Sequence, residues 1–181
     1  MKTDEQIIDA VMHGHSGWQD QMVVRYGQEV FSMVARQVGD VMDAEELTQD
    51  TFLRAFRYIS SYDPAKASLS TWLCRIAYRL TIDFLRRKHP ITLSIEDSEV
   101  WQTDISDEQL EADLSSGKEE RICKLEMLMD HLPPDEQLLL TLYYYENRSL
   151  EECSFIMDSN PRTLAKRLYR IRKKLHKQLT S

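Results

Sequence analysis

Residues 149–177 read SLEECSFIMDSNPRTLAKRLYRIRKKLHK, and this stretch predicts two helices joined by a tight turn. Ser149 can cap the first helix, and Glu152 stands three residues later, at the capping-box position. Asp158 begins the turn, after which Asn160 caps the second helix and a proline fits the first position of that helix. The stretch therefore predicts a helical hairpin with a short connection.

The second predicted helix has an apolar side and a basic side. Its apolar residues recur every three or four positions, as expected for a helix buried along one face; they are Leu164, Leu168, Ile171, Leu175 and Leu179. Away from this spine or on its flank lie Arg162, Thr163, Lys166, Arg167, Arg170 and Lys173. Such a hairpin is typical of a helix-turn-helix, which places its second helix in the DNA major groove. The alternative is an ordinary helical hairpin with a solvated basic face.

The charge of the 181-residue chain is divided into blocks. In total 23 basic and 30 acidic residues give a net charge of −7, which taken alone argues against nucleic-acid binding. Residues 94–117, however, contain eight acidic residues and no Lys or Arg, whereas eight basic residues and no acidic one follow position 160. This pattern predicts two domains, at 1–93 and 118–181, joined by an acidic linker at 94–117. The basic end can still have local electrostatic partners.

The first block is expected to be helical throughout. The chain has only five glycines, and its apolar residues recur at helical spacing, which favours an all-α fold made of two small helical domains. We expect four helices, over residues 5–12, 18–38, 43–60 and 70–88. Asp43 is the predicted cap of the third helix, in which Leu47 and Phe52 face inward, and Ser68 or Ser70 is the predicted cap of the fourth.

The fourth predicted helix combines basic and aromatic residues. A face separate from its buried stripe contains Arg75, Arg79, Asp83 and Arg86, with Trp72 close by. Arginines can bind phosphates and aromatic rings can stack on bases, so this face suits nucleic acid. A basic last turn that only complements the helix dipole is the alternative.

Several classes of protein are disfavoured. No apolar run approaches the ~18 residues that a membrane span needs, and the polar start has no apolar segment of a secretory signal behind it. The three cysteines are odd in number, far apart and without a C-x-x-C pair, which predicts a reducing cytoplasm and neither a disulfide framework nor a zinc site. His13 and His15 lack acidic or Cys partners at ligand spacing. We find no phosphate-binding glycine loop, H-E-x-x-H or nucleophile elbow, so we expect no catalytic residue, metal or cofactor.

Three segments carry a resemblance to a known family. Residues 43–56, DAEELTQDTFLRAF, are similar to region 2.2 of bacterial sigma factors. Residues 70–87, STWLCRIAYRLTIDFLRR, resemble regions 2.3 and 2.4, and the hairpin with its segment 163–175, TLAKRLYRIRKKL, resembles region 4. The segments occur in the family's order over nearly the whole chain. The chain is long enough for only two sigma domains and a linker, and in this it resembles the extracytoplasmic-function (ECF) subgroup.

The resemblance implies a dissociable subunit of bacterial core RNA polymerase that directs it to promoters. In this family region 2.2 docks on the clamp helices of the β′ subunit, which implies the contact residues Glu46, Leu47, Gln49, Asp50 and Phe52. Regions 2.3 and 2.4 open the −10 element and capture an unstacked base. The implied residues are Lys66, Trp72, Arg75, Arg79, Asp83 and Arg86. Region 4 contacts the β flap and reads the −35 element in duplex form. The implied residues are Arg162, Thr163, Lys166, Arg167, Arg170, Lys173 and Lys174.

The resemblance also implies a cognate anti-sigma factor and a linker that threads through the polymerase. The chain departs from the family at Arg79, where many relatives have Asn, at Ala165 and Lys166, and at Asp158 and Arg162, where relatives often have Gly. Base preferences therefore do not transfer. The runner-up is a stand-alone helix-turn-helix regulator that binds duplex DNA as a dimer, which leaves residues 1–93 without a role. A helical enzyme ranks third.

Overall fold

The structure, a computed structural model, describes residues 4–88 and 119–180. The predicted linker at 94–117 lies outside the described residues. The helices are α1 Asp4–Met12, α2 Trp18–Val38, α3 Val41–Tyr58, α4 Leu69–Lys88, α5 Glu119–Asp130, α6 Pro134–Leu140, α7 Leu150–Met157 and α8 Pro161–Thr180. A 3-10 turn, Ile59–Ser61, follows α3, and a π-helical turn, Thr141–Tyr145, continues α6. Within the two described ranges no β-strand occurs, and the all-α prediction is confirmed.

The start of α3 differs from the prediction. Asp40, not Asp43, is the N-cap, and its carboxylate accepts a hydrogen bond of 3.1 Å from the Asp43 amide. Gly39 ends α2 in the left-handed conformation, with φ of 70°, so the chain turns there and places Asp40 in extended backbone before the first helical turn. Asp43 lies inside the first turn instead, where its carboxylate accepts a 2.6 Å hydrogen bond from Lys88 Nζ at the end of α4.

Helix α4 lies at the centre of the fold. The Ser68 hydroxyl accepts a 3.2 Å bond from the Thr71 amide, as one of the two predicted caps would do. The predicted stripe is buried at Leu69, Leu73, Ala77 and Leu80. The side of α4 beyond the predicted stripe is buried as well, at Thr71, Trp72, Cys74, Thr81, Ile82 and Leu85. This wider burial arises because α2, α3 and α7 all pack against α4.

The hairpin of α7 and α8 forms as its sequence predicts. The Ser149 hydroxyl and the Glu152 carboxylate make both bonds of the capping box. Asp158 ends α7 in the left-handed conformation, with φ of 55°, and the Asn160 side chain accepts a 2.9 Å bond from the Arg162 amide at the start of α8. On the predicted apolar spine, the side chains of Leu164, Leu168, Ile171 and Leu175 are buried.

The two helical units pack against each other in the described part of the chain. One hydrophobic core runs from Met22 and Leu73 in the first unit to Leu138 and Ile156 in the second. At its edge the Arg36 guanidinium lies 4.4 Å from the centroid of the Tyr145 ring. Among these contacts, helix α7 packs directly on α4. This contact affects which of the candidate binding residues on α4 are exposed.

Candidate polymerase and nucleic-acid interfaces

The recognition-helix candidates lie away from the buried leucines of α8 or on the flank of that apolar face. Arg162, Thr163, Lys166, Arg170 and Lys174 are exposed, whereas Arg167 and Lys173 are half-buried. The Asn160 cap and the proline after it fix where α8 begins, so the exposed cations start at its first turn. The positive end of the helix dipole adds to these charges, which favours a phosphate backbone as the partner.

The candidates on α4 are arranged less openly. Arg79, Asp83 and Arg86 are exposed, and Arg75 is half-buried. Arg75 and Arg79 both pair with Asp158 in the turn between α7 and α8, at N–O distances of 3.0 and 3.3 Å. Lys66, in the loop before α4, is exposed and lies 3.5 Å from a carboxylate oxygen of Asp63.

Trp72 requires a correction. Its side chain is only 9% exposed and packs against Tyr62, with ring centroids 5.5 Å apart. Tyr62, whose ring it contacts, lies in the segment before α4. In this arrangement Trp72 is a core residue, and a base cannot stack on it unless the packing changes.

The candidate polymerase-docking residues divide between the surface and the core of α3. Glu46, Gln49 and Asp50 are exposed. Leu47 and Phe52, by contrast, are 5% and 4% exposed and belong to the hydrophobic core, so a direct docking role for these two does not fit the structure. Both residues fall on the side of α3 that packs against its neighbours, which helical spacing from the other core positions requires.

Sequence reasoning missed two apolar residues on the exposed side of α3. Met42 is 74% exposed and Leu53 is 62% exposed. Helical spacing places both on the face of Glu46, Gln49 and Asp50, one turn before and one turn after them. Their position on an otherwise polar face is a readable signal, because exposed apolar residues grouped on one face indicate an interaction surface.

A polar cluster around Arg148 was also missed. Its guanidinium donates to Glu29 on α2, to the Ser70 hydroxyl on α4, to the Thr71 hydroxyl at 3.3 Å and to Glu152 at 2.9 Å. Glu152 also accepts a 2.9 Å bond from the Thr71 hydroxyl. The Arg148 side chain is only 11% exposed, so these contacts replace much of its hydration.

The cluster changes the acidity of its members. Burial alone would raise the pKa of Glu152, but hydrogen bonds from Ser149, Arg148 and Thr71 outweigh it and hold that pKa below its usual value. Burial raises the pKa of the neighbouring Cys74 thiol to about 12 and that of the Cys153 thiol to about 11. Both thiols are therefore protonated near neutral pH, as expected of buried packing residues.

The described ranges hold neither a metal-binding cluster nor a membrane-spanning helix. In neither range do His, Cys, Asp and Glu side chains group in a way that could hold a metal ion. No helix there is long and apolar enough to cross a membrane.

Known families match both units. Residues 22–90 match the family described as Sigma-70 region 2, and residues 124–175 match Sigma-70, region 4. The ECF RNA polymerase sigma factor SigW of Bacillus subtilis is 32% identical over 168 residues, which cover 85% of this chain and 84% of SigW. SigM of the same organism is 31% identical over 156 residues, covering 86% and 91% of the two chains. The RNA polymerase sigma-H factor of Pseudomonas aeruginosa is 25% identical over 181 residues, covering 97% and 93%.

Two solved structures share the fold. CnrH, in complex with the cytosolic domain of CnrY, superposes with a TM-score of 0.67 at 20% identity, covering 98% of this chain and 97% of CnrH. The sigma factor RpoE of Bartonella quintana, in complex with the anti-sigma factor NepR, superposes with a TM-score of 0.61 at 17% identity. The match covers 89% of this chain and 96% of RpoE. With both regions matched in order and relatives above 30% identity, the chain belongs to the sigma-70 family of RNA polymerase sigma factors. Within that family it is an ECF sigma factor.

Proposed function

We propose that this sigma factor divides its work between three surfaces, one for core polymerase and two for promoter DNA. As a member of its family it binds core RNA polymerase and directs promoter recognition and the initiation of transcription. The observation that carries the division of labour is a difference in charge. The exposed residues of α3 as far as Asp50 include Glu45, Glu46 and Asp50 itself and no cation, whereas cations predominate on the exposed faces of α4 and α8. The domain boundaries we propose remain 1–93 and 118–181, with the linker between them.

The proposed polymerase surface is the outer face of α3. Glu46, Gln49 and Asp50 supply polar contacts, and the exposed side chains of Met42 and Leu53 supply apolar area at its two ends. Together they suit a partner that offers both basic and apolar residues. In sigma factors of this type that partner is the pair of β′ clamp helices, and the β flap is the proposed partner of the second unit.

The proposed DNA surfaces are on α8 and α4. On α8, Arg162, Thr163 and Lys166 lie near the helix start, where side chains of a recognition helix reach base edges, and later cations meet phosphates. On α4, Arg75, Arg79 and Arg86 with Lys66 form the surface for the opened −10 strand. Asp83 lies on the same face and can accept a hydrogen bond from an exocyclic amine.

We further propose that the chain works in the cytoplasm, has no catalytic activity of its own, needs no cofactor, and is restrained by a cognate anti-sigma factor. The sequence contains none of the catalytic motifs sought above, which supports the proposal that the chain is not an enzyme. The complex of the structurally similar RpoE with an anti-sigma factor supports the proposed restraint by such a partner.

Reconstituted transcription tests the proposal. The chain is added to sigma-free bacterial core polymerase with genomic DNA, and the transcript starts are sequenced. Starts that depend on the chain and share a two-part upstream motif are the expected result. If no start depends on the chain while the chain alone binds duplex DNA tightly, the stand-alone regulator is correct instead.

Variants separate the three surfaces. Glu46→Lys with Asp50→Lys should reduce core-polymerase affinity at least tenfold, because like charges then face a basic partner. The matched control is Glu5→Lys with Asp9→Lys, an exposed acidic pair at the same spacing on α1. Lys166→Ala should lower transcription from a mapped promoter about tenfold without changing core affinity. Lys124→Ala is its control, since Lys124 is an exposed lysine on α5.

A further inference from the structure

The recognition helix begins in a segment that lies at the surface. Met157, which ends α7, is only 7% exposed, and Leu164 in α8 is fully buried. Residues 158–163 between them are all described by the structure, and each is exposed or half-buried. Burial of apolar surface therefore fixes the two helices on either side of this segment but not the segment itself. Its conformation depends on hydrogen bonds and on backbone preferences.

Ser154, on α7, makes the hydrogen bonds that close this segment. Its backbone carbonyl accepts from the amides of Asp158 and Ser159, the second at 3.1 Å. Its hydroxyl donates to the Ser159 carbonyl oxygen. The amide and the carbonyl of Ser159 are thus both bound by one residue of α7, so the peptide groups on the two sides of Ser159 have fixed orientations.

These orientations are passed on to the first turn of α8. The peptide group that contains the Ser159 carbonyl also contains the amide nitrogen of Asn160, the cap of α8. The Asn160 side chain accepts a 2.9 Å bond from the Arg162 amide, and the Asn160 carbonyl accepts a 2.9 Å bond from the Thr163 amide. The proline that follows the cap has φ held near −65° by its ring. A continuous series of hydrogen bonds therefore connects Ser154 with Arg162 and Thr163.

The last two residues of this series are candidates for base contacts. Arg162 and Thr163 precede the first buried side chain of α8, so the turn holds them in place. The cations from Arg170 onward lie beyond Leu164 and Leu168, whose burial in the core holds that part of the helix. Loss of a bond in the turn should therefore displace base contacts and leave the later phosphate contacts unchanged.

We propose that Ser154 is a positioning residue for reading the −35 element: its hydroxyl, bound to the Ser159 carbonyl, holds Arg162 and Thr163 in register with the base edges. Ser154 acts through the backbone of the turn and does not itself contact DNA. Hydrogen bonds to base edges span donor–acceptor distances of only about 2.7–3.2 Å, so a small displacement breaks them. The proposal rests on the proposed function of α8, and it names a residue outside α8 on which base discrimination depends.

Transcription from promoters with a randomised −35 element tests the role of Ser154. The full chain is combined with sigma-free core polymerase and a template pool built on one mapped promoter, and transcript counts give the preference for each base. Ser154→Ala removes the hydroxyl and keeps a good helix former. The ratio of transcription from the preferred base to the other bases should fall by about three- to tenfold at one or two adjacent base pairs. Preferences elsewhere in the element should stay within about twofold.

Two further variants are the controls. Ser154→Thr keeps the hydroxyl and should restore the preferences of the unaltered chain. Ser61→Ala should also leave them unchanged, since the Ser61 hydroxyl donates a similar 2.7 Å bond to a backbone carbonyl, that of Tyr58, in the first unit. Thermal unfolding followed by circular dichroism verifies that each variant is folded at the assay temperature.

Amide hydrogen exchange in the full chain measures the same contact without polymerase. By residue-resolved NMR, Ser154→Ala should speed exchange of the Arg162 and Thr163 amides by about three- to tenfold, because one hydrogen bond that holds the turn is gone. Exchange of the Leu168 amide should be unchanged, because that residue is held by the core. Equal exchange at Arg162 and Thr163 in the variant and the unaltered chain would overturn the proposal.

The transcription assay has three contrary outcomes. Ser154 does not position the helix if Ser154→Ala lowers transcription equally from every −35 sequence or leaves all base preferences unchanged. The same loss in Ser154→Thr as in Ser154→Ala would show that the hydroxyl is not the cause. If the unaltered chain itself has no −35 preference, the proposed function of α8 has failed and this proposal fails with it. A preference in the unaltered chain that Ser154→Ala retains would instead make only the positioning role wrong.

Discussion

Replacing Arg148 with Met should destabilise the protein more than any substitution of an exposed arginine. Methionine keeps an apolar stem of similar length, so the change mainly removes the guanidinium. Charge-assisted hydrogen bonds to Glu29 and Glu152 are then lost, and both carboxylates remain beside a buried surface. Leaving one partner of a buried pair without its counter-charge costs about 3–5 kcal/mol.

The partial exposure of the carboxylates reduces that cost. The side chains of Glu29 and Glu152 are 30% and 36% exposed, so water can replace part of what Arg148 provides. The Arg148 Nε has no partner in the structure and contributes nothing to the loss. We therefore expect the free energy of unfolding to fall by about 2–3 kcal/mol, which for a chain of this size lowers Tm by roughly 5–10 °C.

Urea unfolding followed by circular dichroism measures this loss. Arg57→Met is the matched control, because Arg57 is exposed in the last turn of α3. The double variant Arg148→Met with Glu29→Gln has one unpaired charge fewer than Arg148→Met alone. Its loss in free energy of unfolding should therefore be about 1–2 kcal/mol smaller than the sum of the losses in the two single variants. If the loss in free energy of unfolding lies within about 0.5 kcal/mol of that in the Arg57→Met control, the polar cluster around Arg148 does not contribute to stability as expected.

Three shorter predictions concern the core, the thiols and acid stability. Leu164→Ala, at a fully buried position, should lower the free energy of unfolding by about 2–5 kcal/mol, measured by the same urea titration. Iodoacetamide at pH 8 should leave Cys74 and Cys153 unmodified until the protein unfolds, since burial raises the pKa of both thiols; peptide mass spectrometry with and without urea reads this out. Because the pKa of Glu152 is lowered in the fold, its carboxylate stabilises the protein above its ordinary pKa, and that contribution disappears as pH falls through the lowered value. Glu152→Gln should therefore flatten the fall in Tm between pH 5 and 3, and an unchanged slope would contradict the assignment.

Local sequence signals predicted most of the helices and their ends. The capping box at Ser149 and Glu152, the turn at Asp158 and the Asn160 cap are all confirmed, because each depends on residues within one turn of the chain. The prediction of Asp43 as a cap was wrong, although it too rested on a local signal, an aspartate followed three residues later by Glu46. Gly39 followed by an aspartate is a helix end followed by a helix start, and this pair outweighs a capping-box pattern further on.

Burial on the far side of a helix could not be read in the same way. Trp72 belongs to a face whose arginines indicate a surface, yet its ring packs against Tyr62 and is buried. Leu47 and Phe52 were assigned to docking by the resemblance, although their helical spacing already indicated an inward direction. Where family analogy and periodicity disagreed, periodicity was the better guide to which side chains a partner can reach.

Asp158 links the local and the long-range parts of the structure. Gly, Asn and Asp adopt the left-handed conformation at the lowest steric cost, and a glycine would satisfy the turn alone. Aspartate satisfies the same backbone requirement and in addition supplies a carboxylate, which Arg75 and Arg79 bind from 83 and 79 residues away in the chain. Aspartate is therefore compatible with the hairpin's own folding, and its additional contribution lies in the contact between the units. Asp158 therefore serves both the backbone of the turn and the packing between the units, because one side chain meets the local and the long-range requirement.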